Sequence, residues 1–473
     1  MNESKLKKYN SIDTIVALAT FPSASALGVI RISGKAAIKI ASKIFKPANK
    51  KDIRKVKGNS LFYGWIVERT KAKKPKLKTG LVVDEVMLSL MRKPRSYTKE
   101  DVVEISAHGG VLVLNKILEL IIEQGARQAQ RGEFTYRALV NGRINLIQAE
   151  AVRDIVEARS DQGLRLAQQQ LKGELSKEID LVKQDLKELF SQVEAYINFP
   201  EDELKISTGL IKKQINQLKN KLDKLLIGSK DAKILKEGLR CIICGKTNAG
   251  KSTLFNCLLR EERVIVSRIH GTTRDVIEET INIRGVPLRI YDTAGLIEPR
   301  DLVTKKAIAK TNQSFDSADL IILMLDGSRS LDKDDLFLLN KIKDKNVIIV
   351  INKRDLKQKL KAETIANFKK PKVFLSALKK KGIKDLEKAV FNSVYKNGLN
   401  RENIIFLNHY QEQFLKKAVE SITEAKDCFE SDDAIDLVGC SLKECLDSLA
   451  ELTGEVYSEE ILENIFSKFC IGK

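Results

Sequence analysis

An eight-residue string, Gly245-Lys246-Thr247-Asn248-Ala249-Gly250-Lys251-Ser252, constrains this chain more than any other feature, because a loop of that form works only between a strand and a helix. It fits G-x-x-x-x-G-K-[ST]. The apolar run Leu239 to Cys244 before it reads as a strand, and Thr253 to Leu258 after it opens a helix. Glycines let backbone N–H groups turn inward around phosphate oxygens, Lys251 reaches the β- and γ-phosphates, and the Ser252 hydroxyl can ligate Mg²⁺. The context predicts a P-loop nucleotide domain. The string alone does not separate ATP from GTP.

Later segments do. Asp292-Thr293-Ala294-Gly295 ends the strand Leu288 to Tyr291, which puts a carboxylate at Mg²⁺ and a glycine N–H at the γ-phosphate. Asn352-Lys353-Arg354-Asp355 follows the apolar run Val347 to Ile351. A carboxylate at Asp355 accepts from both N1–H and the 2-amino group of guanine. Adenine offers neither donor and would leave that charge unpaired. Ser376-Ala377-Leu378 has the form of a loop facing the guanine carbonyl, and Gly271-Thr272-Thr273 lies where a switch threonine completes Mg²⁺ coordination. A GTPase domain is expected. Where Ras-like proteins place a water-orienting glutamine after D-T-A-G, this chain has Leu296, which neither donates nor accepts. Asn248 suggests another route, with its amide oxygen and backbone carbonyls from Ser267 to Thr272 holding a monovalent cation against the phosphates. A simple capping role for Asn248 remains the alternative.

With 473 residues the chain has room for two to four domains, and 83 Lys and Arg against 63 Asp and Glu give a net +20 that suits a polyanionic partner. Lysine runs such as Lys71 to Lys78 and Lys379-Lys380-Lys381 also fit plain solvated loops. Seven cysteines without framework spacing point to a reducing, cytoplasmic setting. Cys241-Ile242-Ile243-Cys244 has CxxC spacing, but a strand sends those thiols to opposite sides, so packing is expected rather than zinc. The basic start and apolar stretch to Ala26 imitate a signal peptide, interrupted by Asp13 and Pro22. No segment reaches the ~18–20 apolar residues of a membrane span, and no membrane association is expected.

Residues 1–140 alternate short strands (Thr14 to Ala19, Val29 to Ile32, Glu85 to Met91, Val102 to Ser106) with helical stretches (Lys35 to Phe45, Leu112 to Glu123), an α+β pattern interrupted by a lysine-rich loop at 68–80. Residues 141–234 are helical in texture, 235–395 hold the GTPase signatures, and 396–473 are helical again. The fold class expected is multidomain α+β and α/β, with the GTPase inserted in a helical domain.

With these segments in view, the chain resembles the MnmE (TrmE) family of tRNA-modification GTPases, nearly end to end. The resemblance rests on Phe469-Cys470-Ile471-Gly472-Lys473, Leu452 to Val456 with Ser458 to Glu460, Asp13 to Ala17, Arg31 to Gly34, Tyr97 to Asp101, and His108-Gly109-Gly110. It rests also on Arg131 to Thr135, Asn141 to Arg143, Gln148 to Ala151, the phosphate loop and Gly271 to Asp275. It implies an N-terminal α+β domain, 1–140, that binds a folate one-carbon carrier of the 5-formyl or 5,10-methylene-tetrahydrofolate type and forms the homodimer. A helical domain and an inserted Ras-like GTPase follow. Family members bind potassium, pair their GTPase domains to hydrolyse GTP, and join a flavin-dependent partner, MnmG, in a heterotetramer. Together they place an aminomethyl or carboxymethylaminomethyl group on C5 of the wobble uridine of certain tRNAs. FAD would sit on that partner, consistent with the absence of G-x-G-x-x-G here.

Carried across, the resemblance places potassium on Asn248, Ser267, Ile269 and Thr272, and Mg²⁺ on Ser252 and Thr273. The nucleotide would further meet Ala249, Gly250, Lys251, Thr253, Arg268, His270, Gly271, Thr293, Ala294, Asn352, Lys353, Asp355, Ser376, Ala377 and Leu378. Asp292, Gly295 and Arg274 would serve hydrolysis. Folate would meet Arg31, Glu104, Arg143 and Lys473: cationic groups suit its glutamate carboxylates, and a carboxylate suits the donor edge of its pterin. Read alone, Arg31 and Glu104 would be surface charges on strands. Cys470 is the tail's one nucleophile, and buried packing is its alternative role. The chain departs from the family where Ile297 replaces an arginine, where Thr304 stands for a water-positioning glutamate, and where Ser267 replaces a threonine. An RNA-binding switch of the Era or Der kind would carry a KH domain or a second GTPase, and 396–473 shows neither. A scaffold with decayed hydrolysis stays open on Ile297 and Thr304.

Overall fold

The computed structural model describes residues 13–68, 81–158, 160–198, 208–261, 278–291, 315–316, 318–360, 365–394, 406–431 and 435–473. The chain forms two compact units. One joins 1–153 with 450–473; the other is 154–449.

The first unit is built on a seven-stranded sheet. Its strands are β1 (Ile15–Leu18), β2 (Ser25–Ser33), β3 (Phe45–Pro47), β4 (Ser60–Glu68), β5 (Leu81–Met91), β6 (Val102–Gly109) and β7 (Arg127–Gln128). They run in the order β3-β4-β5-β6-β2-β1-β7, antiparallel except where β1 meets β7. Helices α1 (Ala37–Ile44) and α2 (Val111–Glu123) cover one face, burying Ile38, Ile40, Leu114 and Ile117 against Ile30, Leu88 and Ile105. Helix α3 (Glu133–Val140) follows. The expected strands and helices are present with edges shifted by a few residues; β3, β4 and β7 are additional.

In the second unit, α4 (Leu146–Glu157, which crosses the unit boundary), α5 (Asp161–Leu171), α6 (Glu174–Asn198) and α7 (Thr208–Glu237) precede a six-stranded sheet. Its strands are β8 (Leu239–Cys244), β9 (Glu278–Ile283), β10 (Val286–Tyr291), β11 (Leu320–Asp326), β12 (Val347–Asn352) and β13 (Lys372–Phe374), in the order β13-β12-β11-β8-β10-β9. All pairs are parallel except β9 with β10. The continuous apolar runs of β11 and β12 are buried throughout, as strands covered on both faces must be. Cys241 and Cys244 enter the cores on opposite faces of β8, where burial pushes the Cys244 thiol up to about 12 and the Cys241 thiol higher still. Further helices are α8 (Lys251–Glu261), α9 (Lys333–Lys341), α10 (Ile383–Val394), α11 (His409–Glu430) and α12 (Ile435–Thr453, which also crosses the unit boundary). No helix among the described residues is long and apolar enough to cross a membrane.

Candidate functional site

The phosphate loop leaves β8 at Gly245, whose φ of +142° suits glycine and whose missing side chain lets Met324 O pass. Gly250, at φ +99°, leaves room for Asn352 Nδ2. Asn352 is buried at 3 % exposure, and both ends of its amide are used. Nδ2 donates to Ala249 O at 2.8 Å, and Oδ1 accepts from Ala377 N–H at 3.0 Å. One side chain thus fastens the phosphate loop to the two base loops, 352–355 and 376–378. Lys353 donates to Asp326 Oδ2 at 2.7 Å. Burial alone would raise the Asp326 carboxyl, but Lys353 and Ser328 outweigh it and hold it below the usual range. The exposed Asp355 is likewise held low, first by a hydrogen bond from Ser376.

Lys251 Nζ donates to Gly245 O at 2.9 Å and Lys246 O at 2.8 Å, so the ammonium already lies inside the loop it is expected to serve. Burial pulls its pKa below that of an ordinary lysine. Asn248, at φ +62°, is exposed on the crest of the loop, and Ser252 and Thr253 are exposed at the start of α8. A hydroxyl, an amide oxygen and the loop's backbone N–H groups supply the donor types that phosphate, Mg²⁺ and a monovalent cation take. Ser267, Arg268, Ile269, His270, Gly271, Thr272, Thr273, Arg274, Asp292, Thr293, Ala294 and Gly295 lie outside the described residues, as do Leu296, Ile297 and Thr304.

Sequence reasoning passed over a clasp behind this loop. Lys246 is ion-paired to Asp332 and, at 2.8 Å, to Asp334, while Arg329 binds Asp332 and Asp335 at 2.9 Å. Asp332 caps α9 in a reciprocal capping box with Asp335, and its carboxyl is held far below the usual range, chiefly by Lys246. A lysine inside a phosphate loop and an L-D-x-D-D stretch were visible signals. Their pairing across 86 residues was not.

A second constellation lies in the first unit. Arg31 and Glu104 are register partners on β2 and β6, and Arg31 Nε donates to Glu104 Oε1 at 2.7 Å. Arg31 also donates to Gly472 O at 3.2 Å, and its guanidinium sits 5.4 Å from the Tyr97 ring centroid and 5.6 Å from that of Phe134. Arg143 lies 4.7 Å from the Tyr97 ring centroid. The tail is docked by an antiparallel bridge between Arg131 and Ile471, by Gly132 N–H to Cys470 O at 3.4 Å, and by Phe466 between Tyr136 and Phe469. Burial, assisted by Arg31, lowers the pKa of Lys473, and Cys470 nearby is exposed. Arg31, Glu104, Arg143 and Lys473 thus share one locality, with the half-buried Tyr97 ring between the two arginines and the fully buried Phe134 beneath Arg31, neither of which the sequence reading assigned. Two guanidiniums, an ammonium, a carboxylate and ring faces suit a flat heterocycle with a donor edge and a carboxylate tail.

Beneath it, Arg137 is 1 % exposed and binds Asp13, Glu133 and Glu100 at 2.7, 3.1 and 3.2 Å; Arg127 shares Asp13 and Glu133. Burial would raise the Asp13 carboxyl, but the two arginines hold it low.

Family models match both regions. One described as the MnmE helical domain covers residues 146–470, and one described as the GTP-binding protein TrmE N-terminus covers 14–143. The tRNA modification GTPase MnmE of Clostridioides difficile strain 630 is 42 % identical over 98 % of this chain and 99 % of its own length. That of Thermoanaerobacter pseudethanolicus is 41 % identical over 98 % and 99 %, and that of Bacillus velezensis is 38 % identical over 98 % and 100 %. With a guanine-nucleotide loop set in the second unit and relatives matched from end to end, the chain belongs to the MnmE family of tRNA modification GTPases.

Proposed function

We propose that this chain is a potassium-assisted GTP hydrolase that works with a flavin-bearing MnmG-type partner. Together they add an aminomethyl or carboxymethylaminomethyl group to C5 of the wobble uridine of certain tRNAs, using a reduced-folate one-carbon donor. The observation that carries the nucleotide half is Asn352, which locks the phosphate loop and base loops into one frame. Within that frame Asp355 reads the guanine edge, Lys251 exchanges its backbone carbonyls for phosphate oxygens, and Asn248 offers its amide oxygen at the loop crest. Mg²⁺ held by Ser252 and Thr273 would neutralise charge on the β- and γ-phosphates. Potassium held by Asn248, Ser267, Ile269 and Thr272 would supply the positive charge that an arginine finger supplies elsewhere, worth about 10³–10⁵ in rate. Asp292, Gly295 and Arg274 complete the hydrolytic set in this reading.

The folate half is supported by the meeting of Arg31, Glu104, Arg143 and Lys473. Arg31 fixes Glu104 in place, and that carboxylate would accept from the donor edge of a pterin, while Arg143 and Lys473 would offer charge to the glutamate tail. A bound folate would supply the one-carbon unit, and exposed Cys470 would act as nucleophile beside it. Tyr63 and Met87, register partners on the outward side of the first sheet, are exposed together with Leu61, a face suited to homodimerisation. The domain reading is 1–140, 141–234, 235–395 and 396–473, with the tail of the last segment completing the folate site. All seven cysteines are free, which fits a cytoplasmic setting.

The test is steady-state GTP hydrolysis at equal ionic strength in potassium and sodium, for the native chain and Asn248→Ala. Turnover in potassium alone, lost in the variant, is expected. Tight GTP binding with negligible turnover in both salts, also with the flavoprotein partner added, would instead make the chain a binding scaffold. Unaltered tRNA modification by Cys470→Ser would remove Cys470 from the chemistry.

A further inference from the structure

Between 353 and 394 the sequence carries 13 Lys and Arg against 4 Asp and Glu, so under a tenth of the chain holds +9 of its net +20. Two loops of this stretch lie side by side. Arg354 N–H donates to Leu375 O at 3.1 Å, Ser376 and Lys381 exchange backbone hydrogen bonds at 2.9 and 3.1 Å, and Lys353 and Lys379 both act on the Asp355 carboxylate. Arg354, Lys357, Lys379, Lys381 and Lys384 are exposed, and none makes an ion pair among the described residues. The chain's cations are elsewhere often engaged, as Arg127, Arg137 and Lys246 are by carboxylates.

Apolar side chains of the same stretch are exposed as well. Leu378 is 73 % exposed and Phe374 43 %, the latter on β13, the edge strand of its sheet. Gathering exposed cations without ion pairs in one stretch costs self-repulsion that a polyanion relieves by displacing counterions. An exposed ring on the strand that leads into this loop adds a stacking platform for a base, which a purely solvated lysine loop does not need.

We propose that this rim around the guanine loops is a docking face for tRNA, with phosphates on Arg354, Lys357, Lys379, Lys381 and Lys384 and an unstacked base on Phe374. The proposal rests on the reading that the chain acts with tRNA, and adds where the RNA touches it. A strand laid there contacts the same backbone that carries Asp355 and Ser376, so RNA and guanine nucleotide share loops without sharing a pocket.

The experiment is fluorescence anisotropy of labelled tRNA transcript with the full chain, from about 50 to 200 mM KCl, a range over which phosphate contacts weaken steeply. The rim variant is Lys357→Gln/Lys379→Gln/Lys381→Gln. An equal-charge control is Lys177→Gln/Lys187→Gln/Lys224→Gln, exposed lysines on α6 and α7. The rim variant is expected to bind at least tenfold more weakly at low salt, with a log–log salt slope shallower by about 2 units, since each phosphate contact contributes about 0.7–0.9. The control should stay within twofold. Replacing the same rim lysines by arginine should preserve binding, and Phe374→Ala should weaken it without changing the slope. Equal losses in rim and control variants would mean net charge alone matters and would overturn the face. So would slower uptake of a fluorescent GTP analogue by a rim variant that binds tRNA like the control, which would assign the cations to nucleotide capture. Native chain that binds no tRNA overturns both this face and the direct tRNA contact in the functional reading. Native binding untouched by the rim variants overturns the face alone.

Discussion

At Gly250 two requirements meet in one residue: a φ of +99° and a missing Cβ that leaves space for Asn352 Nδ2. Gly250→Ala imposes left-handed strain of about 1–3 kcal/mol and displaces the amide that holds the loops together. Guanine nucleotide affinity should fall at least tenfold, since 1.4 kcal/mol is a factor of ten. Affinity within twofold of native, measured by titration of a fluorescent GDP analogue, would show that the frame tolerates the added methyl. His108 tests electrostatics at the same scale. Its Nδ1 lies 2.7 Å from Asp84 Oδ1 and its backbone N–H donates to Asp84 Oδ2 at 2.8 Å, while 70 % of the side chain is exposed. The Asp84 hydrogen bond raises the imidazole pKa above 6.5. A group whose folded pKa is raised contributes stability that is fully present below its unfolded value and lost as pH rises through the folded one. The pair therefore stabilises below about pH 6.5 and fades above it. NMR titration of His108 should give a midpoint above 6.5 that returns toward 6.5 in Asp84→Asn; identical midpoints would exclude the coupling.

At the scale of elements, the connection from β11 into α9 ties two parts of the nucleotide site together. Asp326, ending β11, holds Lys353 of a base loop, and Asp332, capping α9, holds Lys246 of the phosphate loop. Partly exposed pairs of this kind contribute about 0.2–1 kcal/mol each. Lys246→Ala should accordingly speed GDP release by about twofold to tenfold, Asp332→Asn should do nearly as much, and the double variant should add little. Additive effects in stopped-flow release would show that the two residues act separately. Much of the second sheet was legible, because Leu239 to Cys244 and Val347 to Ile351 are unbroken apolar runs ended by the motifs themselves. Strand β4 was not. Gly64 reads as a breaker in sequence, yet it sits within the strand because the Lys46 carbonyl of β3 crosses where a Cβ would stand. The Arg137 network was hidden for a different reason. Its partners Glu100 and Asp13 lie 37 and 124 residues away, and single charges on short elements carry no periodicity that points to a buried cluster.

At the scale of the molecule, two constellations of polar residues are distributed over two units by a chain that returns to its beginning. Arg31 and Gly472 are 441 residues apart in sequence and hydrogen-bonded in the first unit. The second unit's nucleotide frame uses only residues between Gly245 and Lys381 among those described. Strand register pairs Arg31 with Glu104 and Tyr97 gathers Arg31 and Arg143, but only the return of the tail brings Lys473 to them. That topology makes the two sites separable by a single substitution. Gly472 has φ +96° and packs where a Cβ would overlap Leu18 O on β1, so Gly472→Val should unseat the tail without touching the phosphate loop. Calorimetric affinity for a tetrahydrofolate derivative should fall at least tenfold, while GTP turnover in potassium stays within twofold. Unchanged folate affinity would remove the tail from that site. Parallel loss of both activities would mean that the tail also governs the nucleotide unit, and that a site completed at one end of the chain is read by the other.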